Sequence, residues 1–103
     1  MTSREIFEAL CACRNPDVEG GMAPNQLATN GVKMIDIEDR KPDVISHTEY
    51  YGDDGGKVVE IYESYDHSRT FELRPDSNHF YISLYDEQGQ LKDNAHHVYW
   101  DKM

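Results

Sequence analysis

The feature that most constrains this chain is an alternation of apolar and polar side chains through its second half. The alternation runs through the segments Val58 to Tyr65, Arg69 to Arg74 and Phe80 to Tyr85. A period of two residues is typical of a β-strand with one buried face and one solvated face. Turn-forming residues separate the segments at intervals of about a dozen residues, which favours an antiparallel meander because parallel strands need longer crossovers.

The alternation divides the side chains of these segments into two sets. One set is apolar and is expected to face the core: Val59, Ile61, Phe71, Leu73, Phe80, Ile82 and Leu84. The other set is rich in tyrosine and carboxylate and is expected to face solvent: Glu60, Tyr62, Thr70, Glu72, Tyr81, Ser83 and Tyr85. We therefore expect a sheet with one buried face and one tyrosine-rich face.

Further strands are predicted on both sides of these segments. Val32 to Ile37 and Val44 to Tyr51 precede them, and Ala95 to Trp100 follows them as the last strand. Before this last strand, the chain has either a short strand at Gln90 to Lys92 or one long loop to Asn94.

The turns between the strands are predicted from their residue types. Asp53-Asp54-Gly55-Gly56 and Asp86-Glu87-Gln88-Gly89 contain residues that tolerate the positive φ angles of tight hairpins. Asp66-His67-Ser68 and Pro75-Asp76-Ser77-Asn78 are the other expected turns.

The first thirty residues have helical signals. Thr2 and Glu5 have the spacing of a capping box, and apolar residues follow at helical spacing: Ile6, Phe7, Leu10 and Cys13. Asn15-Pro16 ends this helix. Pro24 to Asn30 is expected to form one or two helical turns, with Gly31 as the C-terminal stop.

These elements predict an α+β fold in which an N-terminal helix packs on an antiparallel meander of four or five strands. Residues 1–103 are expected to form one domain, with a helical part at 1–31 and the sheet at 32–103. The apolar fraction of 38% lies below the roughly 45–50% of typical globular domains, so the core is expected to be thin.

Charge is the strongest indication of function. Twenty acidic residues and ten Lys or Arg residues give a net charge of −10, and 13 of the acids lie from Asp43 onward. Such a charge disfavours direct binding to nucleic acid or to anionic membranes and favours a basic protein partner. The alternative is that the charge only keeps the protein soluble.

A cytoplasmic protein is expected, because no apolar run approaches the ~20 residues of a membrane span and no signal sequence precedes the first helix. Cys11 and Cys13 point away from each other on a helix, since consecutive residues are rotated by about 100°. Two thiols alone also do not make a zinc site. We interpret both as reduced, small core residues.

The sequence contains no catalytic motif. It lacks a nucleophile elbow, a phosphate-binding glycine loop and the spaced oxygen ligands of a calcium loop. On a strand, His96 and His97 point to opposite faces. A metal site from His67, His79 and a nearby aspartate is an alternative. We therefore expect no enzyme activity and no cofactor.

The resulting hypothesis is a small acidic, non-enzymatic binding protein that inhibits a basic protein, such as a nuclease or another nucleic-acid-handling complex. Immunity proteins, antitoxins and phage-encoded anti-defence proteins share this profile, and their carboxylates replace phosphates. The candidate partner-binding residues are Tyr62, Tyr81, Tyr85, Tyr99, Glu60, Glu72, Asp53 and Asp54. Tyrosine is included because it is enriched in protein interfaces.

One alternative is a structural module that forms a homodimer through the tyrosine face. Burying Glu60 and Glu72 in such an interface disfavours it. The other alternative is a small metal protein or enzyme that uses the histidines.

Overall fold

The computed structural model describes residues 1–13, 24–38, 44–64 and 77–100. Two helices come first, α1 (Ser3–Cys13) and α2 (Pro24–Thr29). Five strands follow: β1 (Lys33–Asp36), β2 (Val44–Tyr51), β3 (Lys57–Ser64), β4 (Ser77–Tyr85) and β5 (Leu91–Trp100). They form one antiparallel sheet in the order β1-β2-β3-β4-β5. The predicted α+β meander is confirmed.

The start of α1 has the predicted capping box. The backbone N–H of Thr2 donates to Glu5 Oε1 at 2.9 Å, and the backbone N–H of Glu5 donates to Thr2 Oγ1 at 3.2 Å. Each hydrogen bond pairs a backbone donor that the first helical turn leaves unpaired. The hydrogen bond from Thr2 also lowers the pKa of the Glu5 carboxyl.

The second predicted helix is also confirmed. It begins at Pro24, and its last turn closes with hydrogen bonds from Asn30 N–H to the Gln26 carbonyl and from Val32 N–H to the Leu27 carbonyl, both at 3.1 Å. Gly31, with φ of 81°, ends the helix as the sequence predicts. The chain then enters β1 at Lys33.

Both helices pack on the same face of the sheet. Ile6 and Leu10 of α1 and Leu27 of α2 are fully buried. They belong to one apolar cluster with residues from three strands: Tyr50, Val58, Ile82 and Leu84. We call this face of the sheet the covered face, and the opposite one the open face.

The predicted faces are correct for β4 and wrong for β3. Ile82 and Leu84 lie on the covered face, at 0% and 1% exposure. Cross-strand partners share a face, and Val58 pairs with Leu84 while Glu60 pairs with Ile82. Val58, Glu60 and Tyr62 therefore lie on the covered face, and Val59 and Ile61 lie on the open face. Val59 is buried as predicted, at 7% exposure, but on the opposite side of the sheet from the helices.

The last strand is longer than predicted. β5 runs continuously from Leu91 to Trp100, with a register irregularity opposite Leu84 and Tyr85. β3 pairs directly with β4. The predicted strand Arg69–Arg74 and the turn at 66–68 lie outside the described residues, as do Thr70, Phe71, Glu72 and Leu73. The side chain of Phe80 also lies outside the described part.

Candidate functional site

Two hairpin turns lie side by side at one end of the sheet. The β2–β3 turn contains Gly55 and the β4–β5 turn contains Gly89, with φ angles of 83° and 80°. Both predicted turns are confirmed, and glycine suits them because other residues rarely adopt positive φ. The two neighbouring turns carry four acidic residues, which we call the turn end: Asp53, Asp54, Asp86 and Glu87.

Asp54 connects the turn end to α1. Its Oδ1 accepts a hydrogen bond from the backbone N–H of Ser3 at 3.1 Å, and its Oδ2 accepts one from Ser3 Oγ at 2.9 Å. The backbone N–H of Gly56 also donates to Oδ1, at 3.2 Å. Burial raises the pKa of the Asp54 carboxyl, but the hydrogen bonds from Ser3 and Gly56 outweigh burial and hold the pKa below its usual value.

Two glycines permit this close approach of helix and turn. A Cβ at Gly52 would fall on the backbone nitrogen of Ser3, and a Cβ at Gly56 would fall on the Ser3 hydroxyl. Asp53 is bound from the same side, since the amino group of Met1 lies 2.7 Å from Asp53 Oδ2. The first residues of the chain are therefore held against the β2–β3 turn.

Asp86 and Glu87 have different roles in the second turn. Asp86 Oδ1 accepts hydrogen bonds from the backbone N–H groups of Gln88 and Gln90, at 2.9 and 2.8 Å, so this carboxylate shapes the turn itself. Glu87 is exposed, and its Oε1 accepts a hydrogen bond from the Gln88 amide at 3.2 Å. Of the two, Glu87 is the carboxylate that remains more accessible to a partner.

A cleft opens between the two turns and the start of α1. Its volume is about 330 Å³, and its lining is polar: Ser3, Asp54, Gly56, Asp86, Glu87, Gln88 and Lys92. Three carboxylates and one lysine give it a negative potential. A positively charged side chain suits this cleft better than an apolar ligand, because small-molecule sites are mostly lined by apolar residues.

The open face is the second candidate surface. Its side chains form three rows across the strands: Lys33, Tyr51, Lys57, Tyr85 and Leu91; then Ile35, Glu49, Val59, Ser83 and Asn94; then His47, Ile61, Tyr81 and His96. In the first row, each lysine lies over a tyrosine ring, with Lys33 5.5 Å from Tyr51 and Lys57 5.1 Å from Tyr85. In the third row, the Tyr81 and His96 rings stack at 4.4 Å.

Glu49 is the acidic side chain that the structure describes on the open face, and two neighbouring side chains contact its carboxylate. Glu49 Oε2 lies 2.9 Å from Lys57 Nζ, and Glu49 Oε1 accepts a hydrogen bond from the Tyr51 hydroxyl at 2.9 Å. The Lys57 ammonium is the main cause of the lowered pKa of the Glu49 carboxyl. Among the side chains that the structure describes on the open face, the charged ones are Lys33, Lys57 and Glu49, two positive and one negative.

The structure separates the candidate partner-binding residues. Tyr81 and Tyr85 lie on the open face, as predicted, and Asp53 and Asp54 lie at the turn end. Glu60 is only 3% exposed on the covered face, where the Tyr50 hydroxyl donates to its Oε2 at 3.4 Å. The prediction that Glu60 and Tyr62 face solvent beside Tyr81 is therefore wrong. Glu72 and the side chain of Tyr99 lie outside the described residues.

Sequence reasoning missed several residues of the open face, above all Tyr51, Lys57 and Glu49. The alternation of His47, Glu49 and Tyr51 along β2 was a usable signal for their common face. Lys57 carried no such signal, because only the register between β2 and β3 places it beside Glu49.

The remaining candidates for chemistry show no assembled site among the described residues. No group of three or more potential metal ligands is found there. His67 lies outside this part of the chain, as does the side chain of His79. Cys11 is a free cysteine, and burial raises the pKa of its thiol to about 11, which disfavours the reactive thiolate.

No helix in the described ranges is both long and apolar enough to cross a membrane. Comparison of the chain with protein-family models, with curated proteins and with solved structures finds no match. The turn end and the open face are therefore the two candidate binding surfaces of the described residues.

Proposed function

We propose that this protein is a small non-enzymatic binding protein that attaches to a basic protein partner through its turn end. The observation that carries the proposal is the cleft of about 330 Å³ between the two hairpin turns, with Asp54, Asp86 and Glu87 in its lining. A lysine or arginine side chain of the partner would enter this cleft. The net charge of −10 would accelerate the encounter.

Among basic proteins, a nuclease or another nucleic-acid-handling complex fits this surface best. Such proteins neutralise phosphates with lysine and arginine, and the carboxylates that line the cleft at the turn end would take the place of those phosphates. The protein would then act as an inhibitor of the immunity, antitoxin or anti-defence type. The free thiol of Cys11 is consistent with action in the cytoplasm, where thiols stay reduced.

The turn end must hold its shape without the partner for this mechanism to be efficient. The hydrogen bonds that Asp54 accepts from Ser3 and that Asp86 accepts from Gln88 fix both carboxylates before binding. A preorganised surface loses less conformational entropy on association. Glu87 is then the carboxylate whose removal tests binding without disturbing the fold.

The test begins with capture of basic proteins from lysate at low salt, followed by stepwise salt elution and mass spectrometry. The captured partner is then titrated against the wild type, Glu87→Gln and Glu38→Gln. We expect affinity to fall with rising salt, because exposed charges are screened within about 10 Å at 0.1 M. Glu87→Gln should weaken binding by about fivefold, the effect of an interaction of about 1 kcal/mol.

Glu38→Gln is the matched control, because it removes the same charge from an exposed glutamate beyond the opposite end of β1. It should weaken binding by less than about twofold, through long-range attraction alone. Equal effects of the two substitutions would show that the turn end is not the binding surface. Failure to retain any basic protein would refute the proposed function.

A further inference from the structure

The open face has the composition of an interface. Three of its side chains are large, apolar or aromatic and more than a third exposed: Ile35 at 37%, Tyr81 at 37% and Leu91 at 55%. Tyr51 and Tyr85 are half-buried beside them. No element of the described residues covers this face, because both helices pack on the other one. Tyrosine and aliphatic side chains on one surface are typical of protein interfaces.

Most of the acidic side chains that the structure describes lie away from the open face. The described charged side chains of the open face are Lys33, Lys57 and Glu49, and Glu49 is neutralised by Lys57 at 2.9 Å. Glu60, which seemed at the level of sequence to oppose burial of this face, lies on the covered face. Burying the open face therefore leaves no described carboxylate without a counter-charge.

The dimensions of the open face suit a stable contact. Five strands at about 4.8 Å spacing and segments of about eight residues at about 3.4 Å per residue give roughly 24 by 27 Å. Such a face presents about 650 Å² per protomer, or about 1,300 Å² for two, which exceeds the ~1,000 Å² expected of a specific interface. Two twisted sheets pack face to face about 10 Å apart in this manner.

We propose that the open face is the interface of a symmetric dimer and that its occupant is a second copy of this chain. A basic partner finds no unpaired described carboxylate on this face, because Glu49 already pairs with Lys57. An identical face instead offers tyrosines and aliphatic side chains, and its Glu49–Lys57 pair is already neutral. A two-fold axis makes such a surface its own complement. This proposal is independent of the proposed function, because it uses none of the turn-end carboxylates.

Salt distinguishes the dimer from binding at the turn end. Each protomer has a net charge of −10, so two copies repel each other at low ionic strength. Salt screens this repulsion and leaves the apolar contact intact. Dimerisation is therefore expected to strengthen between about 0.05 and about 0.5 M salt, whereas binding of a basic partner weakens over the same range.

The test is sedimentation equilibrium of the full chain from about 1 to about 100 µM, a range suited to an interface of this size. The variants are Ile35→Glu and Met34→Glu, which introduce the same charge at neighbouring exposed positions of β1. Ile35 pairs with Glu49 on the open face, whereas Met34 pairs with Tyr50 on the covered face. Ile35→Glu should weaken dimerisation at least about tenfold, because it buries an unpaired carboxylate.

Met34→Glu should leave the dimer within about twofold of the wild type, and circular dichroism should show both variants folded. A wild-type monomer at every concentration and salt would overturn the proposal, as would equal weakening by the two substitutions. A monomer that still binds a basic protein in a Glu87-dependent manner would refute the dimer alone. A dimer that retains no basic protein would refute the proposed function alone.

Discussion

The two faces of the sheet are built from the same strands but differ in what stabilises them. On the covered face, Val58, Ile82 and Leu84 are at most 1% exposed beneath the helices. On the open face, the side chains form ion pairs, ring contacts and hydrogen bonds with one another, as Glu49 does with Lys57 and Tyr51. Apolar burial beneath the helices stabilises this fold, whereas no helix of the described residues covers the open face.

Shortening one leucine on each face should have very different effects on stability. Leu84→Ala removes a side chain that is 1% exposed and should lower the free energy of unfolding by about 3 kcal/mol, because it leaves a cavity. Leu91→Ala, at a leucine that is 55% exposed, should change it by less than about 0.5 kcal/mol. Urea unfolding of dilute protein measures both, and equal losses would contradict the assignment of faces.

A second change tests how α1 is held on the covered face. Asp54→Asn removes the charge that accepts hydrogen bonds from Ser3 and Gly56. We expect a loss of about 1 kcal/mol at neutral pH, reduced from the full value of a charged hydrogen bond because the carboxylate is exposed. Asp53→Asn is the matched control, and its smaller effect would show that the contact with Ser3 is the important one.

The same substitution carries a pH dependence. The pKa of Asp54 is lower in the folded protein than in the unfolded chain, so the stabilisation is present above about pH 4. It is lost as the pH falls through the folded pKa, because the unfolded chain binds the proton more tightly. The wild type should therefore lose more stability than Asp54→Asn when urea unfolding is repeated from about pH 5 down to about pH 3.

The smallest expected effect concerns the ion pair of the open face. Lys57→Ala removes the contact with Glu49 and the ring contact with Tyr85, and should lower the free energy of unfolding by about 0.5–1 kcal/mol at low salt. Lys33→Ala removes an exposed lysine that contacts Tyr51, and should have about half that effect or less. High salt should reduce the difference, and a larger loss for Lys33→Ala would contradict the central role of the Glu49 ion pair.

The sequence allowed much of the architecture to be predicted, for reasons that are local. The capping box of Thr2 and Glu5, the stop at Gly31 and the turns at Gly55 and Gly89 each depend on residues within four positions of one another. Local geometry of this kind is specified by the residue types alone. The position of Asp53 and Asp54 in a turn could be predicted for the same reason.

The candidate surfaces were harder to predict. In β3, the residues Val58-Val59-Glu60-Ile61-Tyr62 place apolar side chains in both phases, so alternation does not define a buried face. Pairing of Val58 with Leu84 defines it instead, and the two are distant in the sequence. This pairing carries Glu60 into the core, where the Tyr50 hydroxyl donates a hydrogen bond to it.

The two helices, the antiparallel meander, the turns at Gly55 and Gly89 and the large negative charge could all be predicted from the amino-acid sequence, whereas the order of the strands comes from the structure. Three features are visible only in the folded chain: which side of β3 is buried, the ion pair of Lys57 with Glu49, and the cleft that Glu87 and Asp54 line together. The two groups of features differ in the sequence separation of the residues that form them. A cap or a turn depends on neighbours in the chain, whereas a face or a cleft depends on strand register, which sets the contacts between residues far apart in sequence.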